Sequence, residues 1–575
     1  MRTSYPRTPH LPWSPGASAD DVRAGDLSGF VGREVVVTEK LDGENTTLYA
    51  DGLHARSVDS AHHPSRTWVK ALHGRVGVRI PAGWRVCGEN VYARHSIPYD
   101  ALESYFYGFS VWDERGRCLG WDATVSFLRG LGVPVPPVLW RGVFDERALR
   151  RLRVETGRRE GYVVRTVEGF ARDEFAGRIA KWVRPGHVTT GTHWMHAAVV
   201  ENGLAPAAAL WAVRSGAATD ADALARHLGV ADEDASAAAD VGVRLDALER
   251  GGDARLAGVL AALCRRTPRA RLMARTAGPL GVALARRVAD LVGLHTALHR
   301  PYPDAERRAG LVRMAFAADL GVLHAVASAV AVSGKGRESE QVEWSALHAE
   351  EAGLLGEAPL GPLRAGLREA LRRDGIGGEA GDRCWAEARE AYARGRVRTV
   401  EEAVAATWRW RGGDFPRLVH LVGPSGSGKS GFAARLEGVS ARVSLDGLRE
   451  ERGARADQKA NGEVLREGLR RLDRALAAGG TVVWDATSLN PNQRSLVHAV
   501  ARRRDALTTH AVVLADEDDL LRRNATREHP VPADVLAGQL RRFVPPYPGQ
   551  AHRTWYVGAD GAVQDRDGTL EGEDV

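Results

Sequence analysis

A glycine-rich octapeptide places the tightest constraint on how this chain can fold. The segment Gly423-Pro-Ser-Gly-Ser-Gly428-Lys429-Ser430 matches the pattern GxxxxGK[ST], follows the strand-like run LVHLV and precedes a helix-like run. Backbone N–H groups of such a loop surround phosphates, the lysine reaches the outer phosphate oxygens and the serine hydroxyl binds Mg²⁺. The motif predicts an α/β unit and an ATP site formed by Gly423, Ser425, Gly426, Ser427, Gly428, Lys429 and Ser430.

The length of the chain predicts several domains. Its 575 residues exceed the roughly 250–300 residues at which a single hydrophobic core stops growing. Residues 1–205 contain short apolar runs between turn residues, residues 206–405 carry Ala, Arg and Leu at helical spacing, and residues 410–560 alternate strand-like and helix-like runs. We predict a multidomain α/β protein: an N-terminal α+β domain, a central all-α domain, a C-terminal P-loop α/β domain, and a tail over residues 561–575 that ends in the acidic, solvated segment LEGEDV.

Composition restricts the environment and the partners. The formal net charge of +6 and the pI of about 9.2 favour a polyanionic partner. No run approaches the ~18 apolar residues of a membrane span, and the first residues lack the apolar core of a secretory signal, so a cytoplasmic protein without a membrane partner is expected. The four cysteines include no CxxC pair, so neither a disulfide framework nor a structural zinc site is expected.

The basic residues are strongly biased toward arginine. Only six of the 79 basic residues are lysines. Because a guanidinium stays charged whereas an amine can lose its proton and attack, a lysine in such a chain is a candidate for chemistry. The six are Lys40, Lys70, Lys181, Lys335, Lys429 and Lys459.

Lys40 lies in Glu39-Lys40-Leu41-Asp42-Gly43, directly after the strand-like run EVVVT. A lysine removed from water at a strand end is drawn toward the neutral amine, which can attack the α-phosphorus of ATP and form a phosphoramide with AMP. A β-hairpin with an Asp-Gly turn explains the same residues equally well. Later segments favour the catalytic interpretation, because they supply carboxylates, an aromatic ring and cations at Arg56, Glu89, Phe109, Glu160, Lys181 and Arg184.

The order of these segments resembles the motifs of the covalent nucleotidyltransferases, the superfamily of ATP-dependent ligases and mRNA capping enzymes. The resemblance covers residues 30–200, and the GEN segment at 88–90 and KWVRPGHVTTGTHW at 181–194 are more similar to RNA ligases than to DNA ligases. It implies Lys40 as the nucleophile and Mg²⁺ or Mn²⁺ on Glu89 and Glu160. Lys181 stands alone where the family has KxK, so Arg184 is the candidate second cation. The implied ATP- and AMP-binding residues are Glu39, Lys40, Asn45, Arg56, Glu89, Phe109, Glu160, Lys181 and Arg184.

Short segments behind the glycine-rich loop indicate a kinase. Asp446 follows a strand-like run and precedes Arg449 by one helical turn, and a carboxylate there can take a proton from an attacking hydroxyl. Arg523 and Arg527 lie one turn apart on a predicted helix and can bind a transferring phosphate. This order resembles the 5′-hydroxyl polynucleotide kinases of phage and bacterial RNA repair, over residues 416–557. The resemblance implies Asp446 as general base, Arg449 as a contact to the acceptor strand, and Arg523 and Arg527 as lid residues over ATP.

Together the two resemblances predict a bifunctional enzyme that heals and seals RNA, with broken tRNA as one candidate substrate. The expected partners are ATP and RNA with 5′-OH and 3′-OH ends, with a separate enzyme healing 3′-phosphates. The central region is predicted either to bind RNA or to be a C-terminal ligase domain. Two other interpretations stay open: a DNA ligase or capping-type nucleotidyltransferase fused to a kinase or ATPase, and a regulatory ATPase with an inactive ligase half.

Two further motifs are expected to carry no chemistry. Asp565-Arg-Asp567-Gly568-Thr569 matches the DxDGT signature of aspartyl-phosphate phosphatases, but no buried strand is predicted before it and six residues follow it in the sequence. Since a motif counts only in its structural context, no phosphatase is expected. The single His187-Val-Thr189 is expected to pack behind the adenylate site.

Overall fold

The structure is a computed structural model that describes residues 2–59, 62–155, 157–186, 198–230, 234–331, 336–451, 461–527 and 530–572. Lys335, Lys459 and the His187-Val-Thr189 segment lie outside these residues. Contacts within the chain define two compact units, residues 1–229 with 242–256 and residues 230–241 with 257–575. The domain boundaries inferred from the sequence near residues 205 and 405 stay a prediction.

Ten strands form two antiparallel sheets in the first unit. They are β1 (Glu34–Lys40), β2 (Glu44–Tyr49), β3 (Gly52–Ala55), β4 (Arg85–Asn90), β5 (Phe106–Trp112), β6 (Arg117–Cys118), β7 (Val138–Val143), β8 (Gly161–Thr166), β9 (Phe170–Ala171) and β10 (Ile179–Val183). The four-stranded sheet has the order β10-β8-β1-β7, and the six-stranded sheet has the order β3-β2-β4-β5-β6-β9.

Each sheet of the first unit packs on its own core. Val35 and Val37 of β1 are buried with Tyr162 and Val164 of β8 beneath the four-stranded sheet. The six-stranded sheet is covered by two helices whose apolar residues recur at helical spacing, as at Val69, Leu72 and Val76 of the first helix. The helices of this unit are α1 (Thr67–Val76), α2 (Trp121–Leu131), α3 (Glu146–Arg151), α4 (Phe175–Arg178), α5 (Ala208–Arg214) and α6 (Ala221–Leu228).

The middle of the chain is helical, as predicted. The division between the units falls within α7 (Ala235–Ala247) and α8 (Gly252–Leu263). The second unit continues with α9 (Arg269–Leu280), α10 (Val282–Leu294), α11 (Asp304–Ala315), α12 (Leu320–Ala331), α13 (Arg337–Glu351), α14 (Gly361–Arg373), α15 (Gly378–Ala393) and α16 (Val400–Ala406).

The C-terminal part of the second unit is an α/β domain with a mostly parallel sheet. Its strands are β11 (Arg417–Val422), β12 (Val439–Ser444), β13 (Thr481–Asp485), β14 (Leu507–Val513), β15 (Arg553–Val557) and β16 (Val563–Asp567), in the order β12-β13-β11-β14-β15-β16. Only the β15–β16 pair is antiparallel. Its helices are α17 (Lys429–Arg435), α18 (Leu445–Glu451), α19 (Asn461–Ala477), α20 (Pro491–Arg503), α21 (Glu517–Ala525) and α22 (Ala533–Arg542). The predicted fold class is confirmed.

Residues 561–575, which the sequence predicts as a tail, contain regular structure in the part that the structure describes. Residues 563–567 form the edge strand β16, and Leu570 behind it is buried with 1% exposure. Asp565 forms an ion pair with Arg286 at 2.9 Å, the Leu570 N–H donates to Asp382 at 2.8 Å, and Glu571 is exposed. The aspartates of the DxDGT motif therefore belong to the contact between the sheet and the helices of the same unit.

Within the described residues, no single helix is both long and apolar enough to cross a membrane. One pair, Glu306–Ala315 with Leu320–Ala331, meets the length and composition requirement only when combined across a bend of 106°.

The buried end of the chain leads to a stability prediction. We expect Leu570→Ala to lower the free energy of unfolding by about 2–5 kcal/mol, because it removes a buried aliphatic side chain and leaves a cavity. Leu347→Ala is the matched control, since Leu347 is 53% exposed, and it should change the value by less than about 0.5 kcal/mol. Urea titration followed by circular dichroism measures both variants, and equal small effects would mean that residues behind β16 are dispensable.

Candidate active sites

The register of β1 against β8 brings Lys40 to a carboxylate. Lys40, the last residue of β1, pairs with Gly161, the first residue of β8. Gly161 must lack a side chain, because a Cβ there would lie 1.9 Å from the Trp182 carbonyl oxygen on β10. Glu160 precedes Gly161 directly and accepts a hydrogen bond from Lys40 Nζ at 2.5 Å. The strand pairing thus positions two residues that are 120 positions apart in sequence.

A cavity of about 500 Å³ opens at Lys40 between the two sheets of the first unit. Strands β1, β8 and β10 supply one wall, and β2 to β5 supply the other. Seven of the residues predicted from the sequence line it, namely Glu39, Lys40, Asn45, Arg56, Glu89, Phe109 and Lys181. The other lining residues include Tyr5, Arg7, Thr8, Thr38, Glu44, Arg66 and Arg165. The volume suits a nucleotide-sized ligand.

Carboxylates dominate the charge around the Lys40 ammonium. Burial alone would lower its pKa, but Glu160, Glu89 and Asp42 outweigh burial and raise it. The pKa of Lys40 therefore moves away from the neutral amine, opposite to the expectation from the sequence. The reason is that the strand register places Glu160 within hydrogen-bond distance, and a long-range pairing of this kind is not visible in the local EKLDG segment.

The pKa values of Glu89 and Lys181, two neighbours of Lys40, are shifted so that each side chain loses its charge more readily. Burial raises the pKa of Glu89 to about 8, and the carboxylates of Glu160 and Asp42 add to the effect. Burial also lowers the pKa of Lys181, with Lys40 and Arg56 contributing through repulsion. Buried groups whose pKa values are shifted toward the neutral form are typical of functional clefts.

The remaining predicted residues of this site differ in their placement. Glu39 is buried and paired with Arg159 at 3.0 Å. Asn45 has a buried Oδ1 atom without a hydrogen-bond partner in the described part of the chain. The Phe109 ring faces the cavity and is contacted edge-on by Tyr5, with ring centroids 5.2 Å apart. Arg184 is not among the lining residues, although its N–H holds the Glu160 carbonyl at 3.0 Å.

An N-terminal segment that sequence reasoning missed forms part of the cavity wall. Residues 5–8 lie between two anchors: Thr3, whose N–H donates to the Tyr49 hydroxyl at 2.8 Å, and Pro9, whose carbonyl accepts from the Lys181 N–H at 2.9 Å. Arg7 is exposed, lines the cavity and has no ion pair or hydrogen bond within the residues that the structure covers. Arg7 lies in a segment without a helix or strand pattern, so the sequence did not indicate that it reaches the cavity.

The second site is the loop between β11 and α17. Gly428 is the residue before α17 and has a φ of 103°, which only glycine adopts without strain. Lys429 is buried and donates to the Pro424 carbonyl at 2.7 Å. Burial lowers its pKa to about 8, assisted by Arg527 and opposed by Asp485 and Asp446. The loop therefore holds a desolvated ammonium at the N-terminal end of a helix.

Side chains from neighbouring strands complete the loop site. Ser430 Oγ donates to Asp485 Oδ2 at 3.4 Å, at the carboxyl end of β13. A hydroxyl and a carboxylate in this arrangement provide oxygen ligands for a magnesium ion. Asp446 lies in the first turn of α18, directly after β12, and pairs with Arg449 at 2.5 Å. The Asp446 carboxylate is 61% exposed, so a substrate hydroxyl can reach it.

The predicted pair of lid arginines is only partly helical. Arg523 lies on α21 and donates to the Ala559 carbonyl at 3.0 Å and to the Ser427 carbonyl at 3.5 Å. Arg527 lies beyond the helix, which ends at Ala525. Sequence reasoning also missed Gln539 of α22, whose Oε1 accepts a hydrogen bond from the Ser425 N–H at 2.8 Å. The Gln539 amide oxygen therefore binds one of the backbone N–H groups of the loop.

Comparison with known proteins assigns two segments to families. Residues 33–183 match the model of the RNA ligase family, and residues 418–546 match the model of an AAA domain family. No curated protein sequence matches the chain. The chain therefore joins a segment that matches the RNA ligase family to a segment that matches the AAA domain family. Residues 2–32, which include Arg7, precede the segment that matches the RNA ligase family.

Several solved structures are similar to parts of this chain. An archaeal ATP-dependent RNA ligase is 15% identical, with 31% of this chain and 48% of that chain covered and a TM-score of 0.23. A Naegleria gruberi RNA ligase is 17% identical, with 28% and 52% covered and a TM-score of 0.21. Kti12 of Chaetomium thermophilum is 16% identical, with 24% and 88% covered and a TM-score of 0.22. The chain spans about half the length of these two ligases.

The raised pKa of Glu89 has a consequence for stability. Between its ordinary value of 4.5 and about 8, the folded chain keeps a proton that the unfolded chain releases. The stability that depends on this group therefore falls as pH rises through that window. In metal- and nucleotide-free protein, Glu89→Gln should raise Tm, relative to the unmodified chain, more at about pH 8.5 than at about pH 5. Thermal unfolding at both values checks this, with the exposed Glu155→Gln as control. A pH-independent difference would contradict the assignment.

Proposed function

We propose that the chain is a bifunctional RNA end-healing and sealing enzyme, an ATP-dependent RNA ligase joined to an ATP-dependent 5′-hydroxyl polynucleotide kinase. The observation that carries this proposal is the Lys40 site, where a lysine at a strand end binds Glu160 at 2.5 Å inside a cavity of about 500 Å³. This site lies within the segment that matches the RNA ligase family. The loop at 423–430, with Asp446 behind it, supplies a second ATP site in the other unit.

The ligase reaction begins with Lys40. Glu89 and Glu160 would hold Mg²⁺ or Mn²⁺, which would supply positive charge to offset the carboxylates around Lys40. Lys40 then releases a proton to water, and Nζ attacks the α-phosphorus of ATP. An N–P bond forms, the bond from the α-phosphorus to the bridging oxygen breaks, and pyrophosphate leaves. Arg56 and Lys181, which line the cavity, offset the negative charge of the phosphates during the attack.

Sealing uses the AMP bound to Lys40. The 5′-phosphate of an RNA end attacks the phosphorus of the lysyl-AMP group, so the N–P bond breaks and the RNA carries a 5′-adenylate. The 3′-hydroxyl of the second end then attacks the RNA 5′-phosphorus. A phosphodiester forms and AMP leaves. Phe109, which lines the cavity, is the aromatic surface on which the adenine ring stacks in this proposal.

The kinase reaction supplies the 5′-phosphate. The 5′-hydroxyl oxygen of RNA attacks the γ-phosphorus of ATP, Asp446 takes the hydroxyl proton, and the bond to the departing ADP breaks. Lys429, Arg523 and Arg527 stabilise the charge on the transferred group, and Arg449 contacts the acceptor strand. Ser430 and Asp485, 3.4 Å apart, would hold the Mg²⁺ that screens the phosphates.

The two reactions form a sequence, because the product of the kinase is the substrate of the ligase. Joining both on one chain raises the effective concentration of a healed end near the sealing site, into the millimolar range for a short tether. RNA ends with 3′-phosphates would need a separate enzyme before sealing. Cytoplasmic location follows as part of this proposal.

Separate lysines should control the two activities. Lys40→Ala should abolish the covalent protein–AMP adduct and leave 5′ phosphorylation of RNA unchanged, because only the nucleophile is lost. Lys429→Ala and Asp446→Ala should reduce phosphorylation by roughly 10²-fold or more and leave the adduct unchanged. Incubation with α-labelled or γ-labelled ATP measures each reaction, and Lys70→Ala, at an exposed lysine, is the control.

The outcome of this experiment separates the proposal from its competitors. If one substitution silenced both reactions, the chain would have a single active site. If no protein band took up label from α-labelled ATP, the regulatory ATPase with an inactive ligase half would replace the proposal. Faster sealing of a nicked DNA than of a matched nicked RNA would favour the DNA ligase interpretation.

The N-terminal segment adds a prediction about the ATP site. Arg7 lines the cavity and has no ion-pair partner among the described residues. We therefore expect Arg7→Gln to raise the KM for ATP in lysine adenylylation by about 10-fold, through the loss of one phosphate contact. Sealing of RNA that already carries a 5′-adenylate should be unchanged, since no triphosphate is bound in that step. Arg2→Gln, in the same segment but outside the cavity wall, is the control. A defect only with adenylylated RNA would place Arg7 against the RNA instead.

A further inference from the structure

Three histidines that take no part in either proposed reaction meet inside the P-loop domain. His420 and His510 are register partners on the neighbouring parallel strands β11 and β14, so their side chains project from the same face of the sheet. Helix α20 lies over that face and contributes His498. His498 Nε2 and His510 Nε2 are 2.8 Å apart, and one ring nitrogen from each of the three residues lies within 4.8 Å of the others.

The cluster is buried and incompletely hydrogen-bonded. His420 and His510 have no solvent exposure, and His498 is partly exposed. His420 Nε2 is 2.8 Å from Ser488 Oγ. The Nδ1 atoms of His420 and His510 have no hydrogen-bond partner in the part of the chain that the structure describes. Since buried polar atoms are nearly always bonded, a core with two such atoms calls for a ligand or another explanation.

The local backbone supports a constructed site. Ser488 has a φ of 48°, an unfavourable value for a residue with a Cβ. Its carbonyl is held by Arg494 Nη1 at 3.1 Å, so the conformation that directs Ser488 toward His420 is fixed by a second buried residue.

We propose that His420, His498 and His510 form a binding site for a transition-metal cation of the zinc class. Three imidazoles without a carboxylate select Zn²⁺ and similar ions over Mg²⁺ and Ca²⁺, which prefer oxygen. Zinc commonly takes four ligands, and a water or the Ser488 hydroxyl is available for the fourth position. The ion would link β11, the strand that enters the phosphate loop, to β14 and α20. It is separate from the Mg²⁺ site proposed at Ser430.

The test uses the full chain, stripped with a chelator and free of nucleotide. One Zn²⁺ per chain should bind more tightly than any other and raise Tm by roughly 5 °C at 100-fold excess over its Kd. Co²⁺ in its place should give the visible absorption bands of a four-coordinate site. His498→Gln, at the partly exposed position, should remove both signals while retaining the near-ultraviolet circular dichroism of the fold. His348→Gln, a half-buried histidine on α13, should retain both.

Metal binding by the wild type and the variants decides whether the cluster is a metal site. Loss of one bound Zn²⁺ and of the Co²⁺ bands in His498→Gln supports the site. If His498→Gln unfolds, the double variant His420→Val, His510→Val replaces the rings with apolar side chains suited to a strand core, and it should show the same loss. Equal Zn²⁺ binding in wild type and variants, or no Zn²⁺ bound by wild type, overturns the proposal and leaves the three histidines as a polar cluster of the core.

Discussion

The pairing of β1 with β8 determines what the first unit can do. In this register Lys40 pairs with Gly161, so the adjacent Glu160 lies within hydrogen-bond distance of Lys40 Nζ. A shift of one residue would turn Lys40 to the opposite face of the sheet, away from the cavity. The second sheet then closes the cavity with Asn45 and Glu89, which are themselves paired across β2 and β4. The buried valines of β1 fix this register, because they must face the core.

The same logic of strand ends operates in the second unit. Parallel strands β11, β12 and β13 all end at one edge of the sheet, and the phosphate loop, Asp446 and Asp485 follow directly from those ends. Ligands of open parallel sheets bind at this edge. Helices α14 and α15 stabilise the opposite edge of the same sheet. Asp382 binds Arg553 of β15, Arg389 donates to the carbonyl just before β15, and Arg364 donates to the Leu570 carbonyl behind β16.

Sequence reasoning succeeded where a local motif carries its own geometry. The phosphate loop predicts its strand, its helix and its buried lysine, because these belong to one continuous segment. The order of the ligase motifs likewise predicts seven of the residues that line the Lys40 cavity. Prediction from the sequence failed where residues far apart in the chain meet. The raised pKa of Lys40 depends on Glu160, and the part of the cavity wall at Arg7 depends on N-terminal residues that pack along β10. Leu570 is buried against helices nearly two hundred residues earlier. The His420, His498 and His510 cluster is of the same kind, since no spacing in the sequence relates its members.

In a bifunctional enzyme of this kind, a phosphate transferred at Lys429 is later sealed through Lys40. A broken RNA with 5′-OH and 3′-OH ends, incubated with the full chain and γ-labelled ATP, tests it directly. The labelled γ-phosphate should become the bridging phosphate of the repaired strand, resistant to phosphatase and present in full-length RNA. The unmodified chain should yield this internal label, and the Lys40→Ala chain should yield only a phosphatase-sensitive 5′ label. Full-length RNA without internal label, or no label in RNA at all, would contradict the account.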